Sequence, residues 1–362
     1  MKSFSDYIVD VNILRQNVIN IKNLIGNKVD FCAIVKANAY GVGVETVCKT
    51  IFGLADFFAV ANVNEGLNIR IFDKITKVLI LGVCDTDSLI LCSQQNLSIS
   101  VGDFETLLKF NKFAIENNLK LKVHLQINTG LNRFGFRSII DFKRALKLLT
   151  DNEFLVFEGV YSHFATKDND VKFIKKQFLR FLQFKNVVKN KDIIFHICNS
   201  FATLYNKKYR LNMVRNGFLM YGGTKNNIGN KLVVSIKSKV ASIMNTKKND
   251  TIGYDRTYLC DRALKIAVVP VGYADGLDRR LSNKFYVLIN GQKCRILGNI
   301  CMDVFMVDIS NMDVNLGDEV VILGKQKNEE ITLEDMAKVL NNSPYEVLLR
   351  FNYKRMNYIV KR

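Results

Sequence analysis

Eight short apolar segments in the first two-thirds of the chain constrain its fold more than any other feature. Each is apolar throughout instead of alternating with polar residues, which is typical of parallel strands buried on both faces. Helical patterns separate several of them, and an early one repeats apolar residues at steps of three and four before Gly26. Such a series predicts an α/β fold, a (β/α)8 barrel of the TIM type. The segments end at Lys36 or lie near Ala59, Leu79, Ile99, Leu125, Val160, Phe195 and Val214.

The segment GGTKNNIGN, from Gly222 to Asn230, interrupts this rhythm and is interpreted as a domain boundary. After it, strand-like runs follow one another closely, Asn290-Gly291 marks a tight hairpin, and only the segment from Leu333 looks helical. We therefore expect the barrel over residues 1–225 and a mostly antiparallel β domain over residues 226–362. Residues 1–10 are a candidate addition to the second domain.

Polar residues follow the predicted strands at the carboxyl ends, where active sites form in this kind of barrel. A lysine there is partly desolvated, which lowers its pKa and makes it a candidate nucleophile toward an aldehyde. Strands seven and eight commonly bind a phosphate, and a serine and a glycine offer donors there. Lysine and phosphate site together indicate pyridoxal phosphate. The set comprises Lys36, Asn128, Arg133, His163, Asn199, Ser200, Arg215 and Gly217.

Each of these residues taken alone also has an ordinary structural explanation. Lys36 is compatible with a solvated strand end, His163 with a hydrogen-bonded core histidine, and Arg215 with an ion pair. Tyr254, in the second half, is equally compatible with a surface tyrosine of a β domain. Four further residues are assigned to the core or to the bracing of turns: His124, His196, Asp275 and Asp303.

Nine motifs in order along nearly the whole chain resemble those of the alanine racemases. The first is VKANAYGVG, from Val35 to Gly43, which is similar to the segment around that family's cofactor lysine. One such match would be weak, whereas nine in the family's order are specific. The others read NTGLNRFGF, YSHFATKD, HICNS, NMVRNGFLMYG, GYDRTY, VGYADG, GNICMD and PYE.

The resemblance implies a racemase with two bases that lie on opposite faces of an amino-acid substrate. Lys36 would carry pyridoxal 5′-phosphate and act as one base, and Tyr254 would act as the other. One base removes the Cα proton and the other returns a proton from the opposite face. The implied reaction interconverts L-alanine and D-alanine, a precursor of bacterial peptidoglycan.

The resemblance also implies the remaining contacts of the cofactor and the substrate. Arg215 would bond the pyridine nitrogen, and its permanent charge would leave that nitrogen largely unprotonated. His163 would stack on the ring and polarise the tyrosine base. Arg133 would lie near the phenolic oxygen of the cofactor and the substrate, and the amide of Met302 would hold the substrate carboxylate. Because Tyr254 and Met302 come from a second subunit in this family, a homodimer is implied. Positions matching the phosphate site are Tyr40, Ser200, Gly217, Phe218 and Tyr345.

Four positions depart from the family's pattern. Gln126 and Asn128 stand where a lysine, commonly carbamylated, and an aspartate are usual, and a neutral hydrogen bond from Gln126, alone or together with a bound anion, is one way to orient Arg133. Asn299 stands where an arginine is usual, and Gly253 where a serine is common. Tyr345 is retained, which favours a small substrate such as alanine.

The formal net charge of +18 raises the question of nucleic acid as a partner. The lysines are scattered, however, and their densest group, Lys172, Lys175 and Lys176, is predicted to be an exposed helix face. We therefore expect no nucleic-acid partner. No apolar run is long enough to span a bilayer, and eight cysteines without a C-x-x-C pair are typical of reduced, buried thiols. With no signal-peptide pattern, these features predict a cytoplasmic protein without a membrane partner.

Rival functions stay open on the sequence alone. One is a racemase of broader specificity that acts on serine or lysine. Another is a decarboxylase of the same barrel class, against which the segment GYDRTY argues. A third, from a different class, is a regulatory protein that binds pyridoxal phosphate without catalysis.

Overall fold

The computed structural model describes residues 4–150, 152–166, 170–223, 226–351 and 353–362. Contacts between Cα atoms divide the chain into two compact units. The barrel unit comprises Leu14–Ala39 and Gly43–Asn230. The β unit comprises the described residues up to Ile13, the short segment Tyr40–Val42, and Lys231–Arg362. Residues 224 and 225 of the predicted boundary segment lie outside the described residues.

The barrel unit contains eight parallel strands, β2 to β9, as predicted. Each strand pairs with its sequence neighbour, and β9 pairs with β2. A parallel bridge between Cys198 and Val214 joins the other edge, so that the sheet closes. With the preceding β1 (Asp6–Asp10), which belongs to the β unit, the strands are β2 (Asp30–Ile34), β3 (Phe57–Val60), β4 (Lys77–Ile80), β5 (Leu97–Val101), β6 (Leu121–Gln126), β7 (Leu155–Tyr161), β8 (Ile194–His196) and β9 (Met213–Asn216).

Right-handed helices alternate with these strands. The predicted early helix is present, buries Leu14, Val18 and Ile21, and stops before Gly26, whose φ of +75° suits a helix end. The helices are α1 (Val11–Ile25), α2 (Val44–Thr50), α3 (Val63–Phe72), α4 (Ser88–Gln94), α5 (Phe104–Glu116), α6 (Ile139–Leu149), α7 (Val171–Lys185) and α8 (Ser200–Tyr205).

The β unit is built on a ten-stranded, mostly antiparallel sheet, as predicted, in which only β1 and the last strand pair in parallel. The predicted hairpin is present, with positive φ at Asn290 and Gly291. The strands are β10 (Val234–Lys239), β11 (Ser242–Thr246), β12 (Thr251–Ile252), β13 (Tyr258–Leu259), β14 (Leu264–Val269), β15 (Tyr286–Ile289), β16 (Gln292–Leu297), β17 (Phe305–Asp308), β18 (Glu319–Gln326), β19 (Glu329–Ile331) and β20 (Asn357–Lys361).

One helix of the β unit was not predicted. Besides the expected α9 (Leu333–Leu340), a second helix, α10, runs from Pro344 to Arg350. Ser343 caps it by accepting a hydrogen bond from the amide of Tyr345, and Pro344 occupies the first turn, where a missing N–H is harmless. The prediction of a single helix was wrong because this seven-residue segment is too short to show helical periodicity.

Three surface and core features follow from this packing. Lys172, Lys175 and Lys176 are exposed on α7, as predicted. The cysteine thiols are free, and all are buried except that of Cys301, which is half-buried. None of the helices in the described residues is long and apolar enough to cross a membrane.

Candidate active site

A left-handed turn begins at Lys36, directly after β2. Four consecutive residues that are not glycine, Ala37 to Tyr40, have φ between 51° and 59°. This conformation costs about 1–2 kcal/mol per residue, so the surroundings must hold it in place. Backbone strain of this kind is concentrated at functional sites.

Two side chains hold the turn. The amide of Ala37 donates to Glu65 Oε1 at 2.8 Å, and the other oxygen of Glu65 accepts from the amide of Ala61, after β3, at 2.7 Å. Asn38 Oδ1 accepts from the amide of Val44 at 2.8 Å. Glu65 therefore ties together the ends of two neighbouring strands. Glu65 was not predicted from the sequence, although Asn62, three positions earlier, is a helix-cap signal.

The environment of Lys36 makes its amine easier to deprotonate. Burial lowers the pKa of Lys36, and the positive charge of Arg133 lowers it further, while the carboxylate of Glu65 acts in the opposite direction. A larger neutral fraction makes the amine both a better nucleophile and a better base at neutral pH.

Arg215 lies fully inside the barrel. Its Nη1 donates to His196 Nδ1 at 2.7 Å, and its Nη2 donates to the carbonyl of Ser162 at 2.7 Å and to His163 Nδ1 at 3.1 Å. The guanidinium also lies 5.3 Å from the centre of the Tyr161 ring. These contacts leave the side chain a single orientation.

His163 is a neutral hydrogen-bond acceptor toward Arg215. Burial, the charge of Arg215 and then the charges of Arg133 and Lys36 lower the pKa of His163 to about 3. Because an arginine can only donate, Nδ1 of His163 carries no proton and Nε2 must carry it. Gln177 on α7 fixes the segment by donating to the carbonyl of His163 at 3.2 Å.

A group of donors lies where α8 begins and β9 ends. Ser200 Oγ accepts from the amides of Gly217 and Leu219, but only at 3.4 Å and 3.3 Å. Hydrogen bonds of that length are weak, so an anionic oxygen would compete for both amides. Phe218, between them, is buried. The structure thus brings together three of the residues predicted for the phosphate.

One cavity of about 320 Å³ is lined by Arg133, Gln126 and Asn128, of which the last two depart from the family's pattern. The Asn128 amide oxygen accepts from the amides of Gly130 and Asn132 and shapes the loop that carries Arg133. Within the described residues, no hydrogen bond links the side chain of Gln126 to Arg133. The loop is therefore organised by Asn128, and not by the neutral hydrogen bond expected from Gln126.

The remaining predicted residues belong to the β unit. The rings of Tyr40 and Tyr345 lie 6.0 Å apart and are tilted by 44°. Burial raises the pKa of both phenols, so they stay protonated donors at neutral pH.

Tyr254 is 69% exposed and lies on a turn with positive φ at Gly253, Asp255 and Arg256. The Asn299 amide group braces this turn, because its Nδ2 donates to the carbonyl of Tyr254 and to the carboxylate of Asp255, both at 3.1 Å. Asn299 thus takes over a positioning task at a site where the family commonly has an arginine. A Cβ on Gly253 would lie 3.0 Å from the backbone nitrogen of Asn299.

Met302 is 52% exposed on a loop that a charged cluster holds. Its carbonyl accepts from the amide of Ala274 at 3.1 Å, whereas its own N–H has no acceptor among the described residues. Arg355 pairs with Asp275 and Asp303, so both aspartates brace turns, as predicted.

Comparisons with known proteins agree along most of the chain. Residues 9–225 match the family described as "Alanine racemase, N-terminal domain", and residues 233–359 match "Alanine racemase, C-terminal domain". The chain is similar to alanine racemase 2 of Caldanaerobacter subterraneus subsp. tengcongensis, with 35% identity over 353 residues. That match covers 94% of this chain and 91% of the other protein.

Solved structures show the same similarity in three dimensions. The alanine racemase from E. faecalis has a TM-score of 0.93 and 31% identity, and the match covers 98% of both chains. The histidine racemase from Leuconostoc mesenteroides subsp. sake has a TM-score of 0.89 at 24% identity, covering 99% of this chain and 98% of the other. At that identity the likeness extends to the fold alone.

Proposed function

The chain belongs to the alanine racemase family, and from that premise we propose that it interconverts L-alanine and D-alanine with pyridoxal 5′-phosphate held by Lys36. The proposal includes a cytoplasmic location for the protein, which would supply D-alanine as a precursor of peptidoglycan. It also includes a homodimer, in which Tyr254 and Met302 of each chain complete the site of the other.

The residues of the barrel unit fit this cofactor. The two amides that make only long bonds to Ser200 Oγ are suited to a phosphate. Arg215 supplies a fixed cationic donor for the ring nitrogen, and Arg133 supplies a second positive charge beside the cavity. Lys36 supplies an amine whose pKa is lowered by burial. Tyr40 and Tyr345 add phenol donors from the β unit.

When bound, the cofactor would supply an electron sink that makes the Cα proton of the substrate acidic. Lys36 Nζ removes or returns this proton on one face, and Tyr254 Oη does so on the other. His163 carries its proton on Nε2, so it offers a hydrogen bond to the phenolate oxygen of Tyr254. Arg215 stays cationic, because a guanidinium does not give up its proton to the ring nitrogen, and this disfavours transamination.

The observation that carries the proposal is the amine of Lys36, which is half-buried at the start of a strained turn and has a lowered pKa. It predicts that borohydride fixes the cofactor onto Lys36, which mass spectrometry of the peptides detects. Conversion of L-alanine is measured by chiral chromatography beside L-serine, L-lysine and L-histidine.

Two results would contradict the proposal. Labelling of a different lysine would overturn the assignment of Lys36. Faster conversion of another amino acid than of alanine would favour the broader racemase and overturn the substrate. Release of carbon dioxide would instead indicate the decarboxylase.

A further inference from the structure

A continuous row of polar side chains leads from Arg215 across the inside of the barrel. Arg215 Nη1 lies 2.7 Å from His196 Nδ1, His196 Nε2 lies 3.0 Å from His124 Nδ1, and His124 Nε2 lies 3.0 Å from Glu158 Oε2. Both histidines are fully buried. The row joins four strands, β9, β8, β6 and β7, and we call it the Arg215–Glu158 relay.

The direction of every hydrogen bond in the relay follows from one fact, which is that an arginine has no acceptor. His196 Nδ1 must therefore accept from Arg215, so His196 carries its proton on Nε2. That proton points at His124 Nδ1, which must also accept. His124 then carries its only proton on Nε2 and donates it to Glu158. If His124 were doubly protonated, its Nδ1–H would face the Nε2–H of His196, and neither donor would have an acceptor. His124 is therefore neutral, and its contact with Glu158 is a hydrogen bond and not an ion pair.

Strand β7 is interrupted in a way that places Glu158 at the end of this relay. In the pairing with β6, Val123 faces Phe157 and His124 faces Gly159, so Glu158 is an extra, unpaired residue. Such a bulge re-aims a side chain and is uncommon between parallel strands. Gly159 leaves space for the imidazole, because a Cβ there would lie 2.3 Å from His124 Nδ1.

The relay also supplies a negative charge to balance the positive charge of Arg215. Within the described residues, no carboxylate lies within 4 Å of its guanidinium nitrogens. Burial raises the pKa of Glu158, but hydrogen bonds donated by His124 and Ser98 and the charge of Lys77 outweigh it and hold the pKa below its ordinary value. Glu158 is thus an anion at neutral pH. A buried cation is tolerated only with such compensation.

We propose that Glu158 is a positioning residue for the reaction, which acts through His124 and His196 to hold Arg215 in its orientation and to balance its charge. This rests on the proposed function, in which Arg215 bonds the cofactor ring. Glu158 itself contacts neither cofactor nor substrate. Its effect therefore reaches the site only through the two imidazoles.

The first test uses the unmodified protein labelled with ¹⁵N-histidine, without cofactor. The chain has only three histidines, and all three contact Arg215 or the relay. Nitrogen-detected NMR at neutral pH is expected to show three neutral imidazoles, each protonated on Nε2 alone. A proton on Nδ1 of His196, or protons on both nitrogens of His124, would overturn the relay's direction whether or not the protein is a racemase.

The second test is a double-mutant cycle with pyridoxamine 5′-phosphate, which binds without a covalent bond to lysine. Glu158→Gln is expected to weaken its binding on the order of tenfold when Arg215 is present. In an Arg215→Met background, the same change is expected to alter binding by about twofold or less, because the guanidinium that Glu158 positions is then absent. The matched control, Glu116→Gln on the exposed end of α5, is expected to leave binding unchanged.

The outcomes separate this inference from the proposed function. Equal losses from Glu158→Gln in both backgrounds would show a general structural effect and overturn the relay. A loss from Arg215→Met with none from Glu158→Gln would also overturn it, while leaving the role of Arg215 intact. No loss from Arg215→Met would overturn the proposed contact of Arg215 with the ring.

Discussion

The two units present their candidate site residues in opposite ways. In the barrel unit, Arg215 is buried and His163 is half-buried, and hydrogen bonds hold both to one another and to neighbouring groups. In the β unit, Tyr254 is 69% exposed and Met302 is 52% exposed, and each lies on a braced turn. The barrel half of the site is therefore fixed within one chain.

This difference suggests that the two units have different roles. The buried polar contacts of the barrel unit set charge and protonation around the cofactor position. The β unit holds only the backbone of its turns and leaves the side chains free to meet another surface. We expect substitutions around the buried polar contacts of the barrel unit to change stability and protonation, and substitutions at the exposed turn of Tyr254 to change activity more than stability.

The largest expected effect separates the two bases. Lys36→Ala and Tyr254→Phe should each lower racemisation by about 10²–10⁴-fold or more, because a proton must be handled on both faces. In deuterated water, Tyr254→Phe should still exchange the Cα proton of the enantiomer that Lys36 deprotonates, which NMR follows. Lys36→Ala, supplied with cofactor, should exchange only the Cα proton of the opposite enantiomer, which Tyr254 deprotonates. If Tyr254→Phe racemised at the native rate, the exposed tyrosine would not be a base.

The next effect compares two glycines. Gly159→Ala places a Cβ 2.3 Å from His124 Nδ1 and should lower the free energy of unfolding by about 1–3 kcal/mol in urea titrations. Gly253→Ala, at φ +76°, should lower it by about 1 kcal/mol and mainly reduce kcat by displacing Tyr254. Equal stability losses, or full activity of Gly253→Ala, would break the distinction between the units.

A pH effect belongs to the barrel unit because the three histidines all lie there. The pKa of His163 is about 3 in the folded protein, against about 6.5 in an unfolded chain. Burial, then the charge of Arg215, lowers the pKa of His196 in the same direction. Below pH 6.5 the unfolded state takes up protons that the folded state refuses, so the free energy of unfolding falls as pH falls toward 3.

Between pH 6.5 and 5 the expected slope approaches about 1.4 kcal/mol per pH unit for each of these two imidazoles. Urea titrations at pH 7, 6 and 5 measure it, with His163→Asn as the variant that should lose part of the slope. A flat profile over this range would mean that the imidazoles are not kept neutral by burial.

The smallest effect concerns the left-handed turn after Lys36. Ala37→Gly removes the clash of a Cβ in this conformation and should raise the free energy of unfolding by up to about 1 kcal/mol. The matched control, Ala337→Gly in the right-handed helix α9, should lower it by about 1 kcal/mol. Destabilisation by both changes would mean that the turn is not strained as its dihedral angles indicate.

The sequence was informative where a local pattern matched a long, regular element. The eight barrel strands, the helix that stops at Gly26 and the Asn290-Gly291 hairpin were all predicted, because each depends on periodicity or turn chemistry within a few residues. The helix Pro344–Arg350 was missed because seven residues contain less than two full turns of pattern. Glu65 was missed because its task is to bond the amides of Ala37 and Ala61, which are distant in the sequence or carry no distinguishing side chain.

The amino-acid sequence alone indicated a racemase, through a lysine at a strand end, a tyrosine in GYDRTY and nine motifs in the family's order. Only the tertiary structure decided how Arg215 is held. His124 and His196 were assigned to the core from the sequence, and both are indeed buried, but they also link Arg215 to Glu158. Strand alternation would place Glu158 on the opposite side of β7 from Gly159. The bulge that brings it to His124 arises from packing between strands, which no local pattern records.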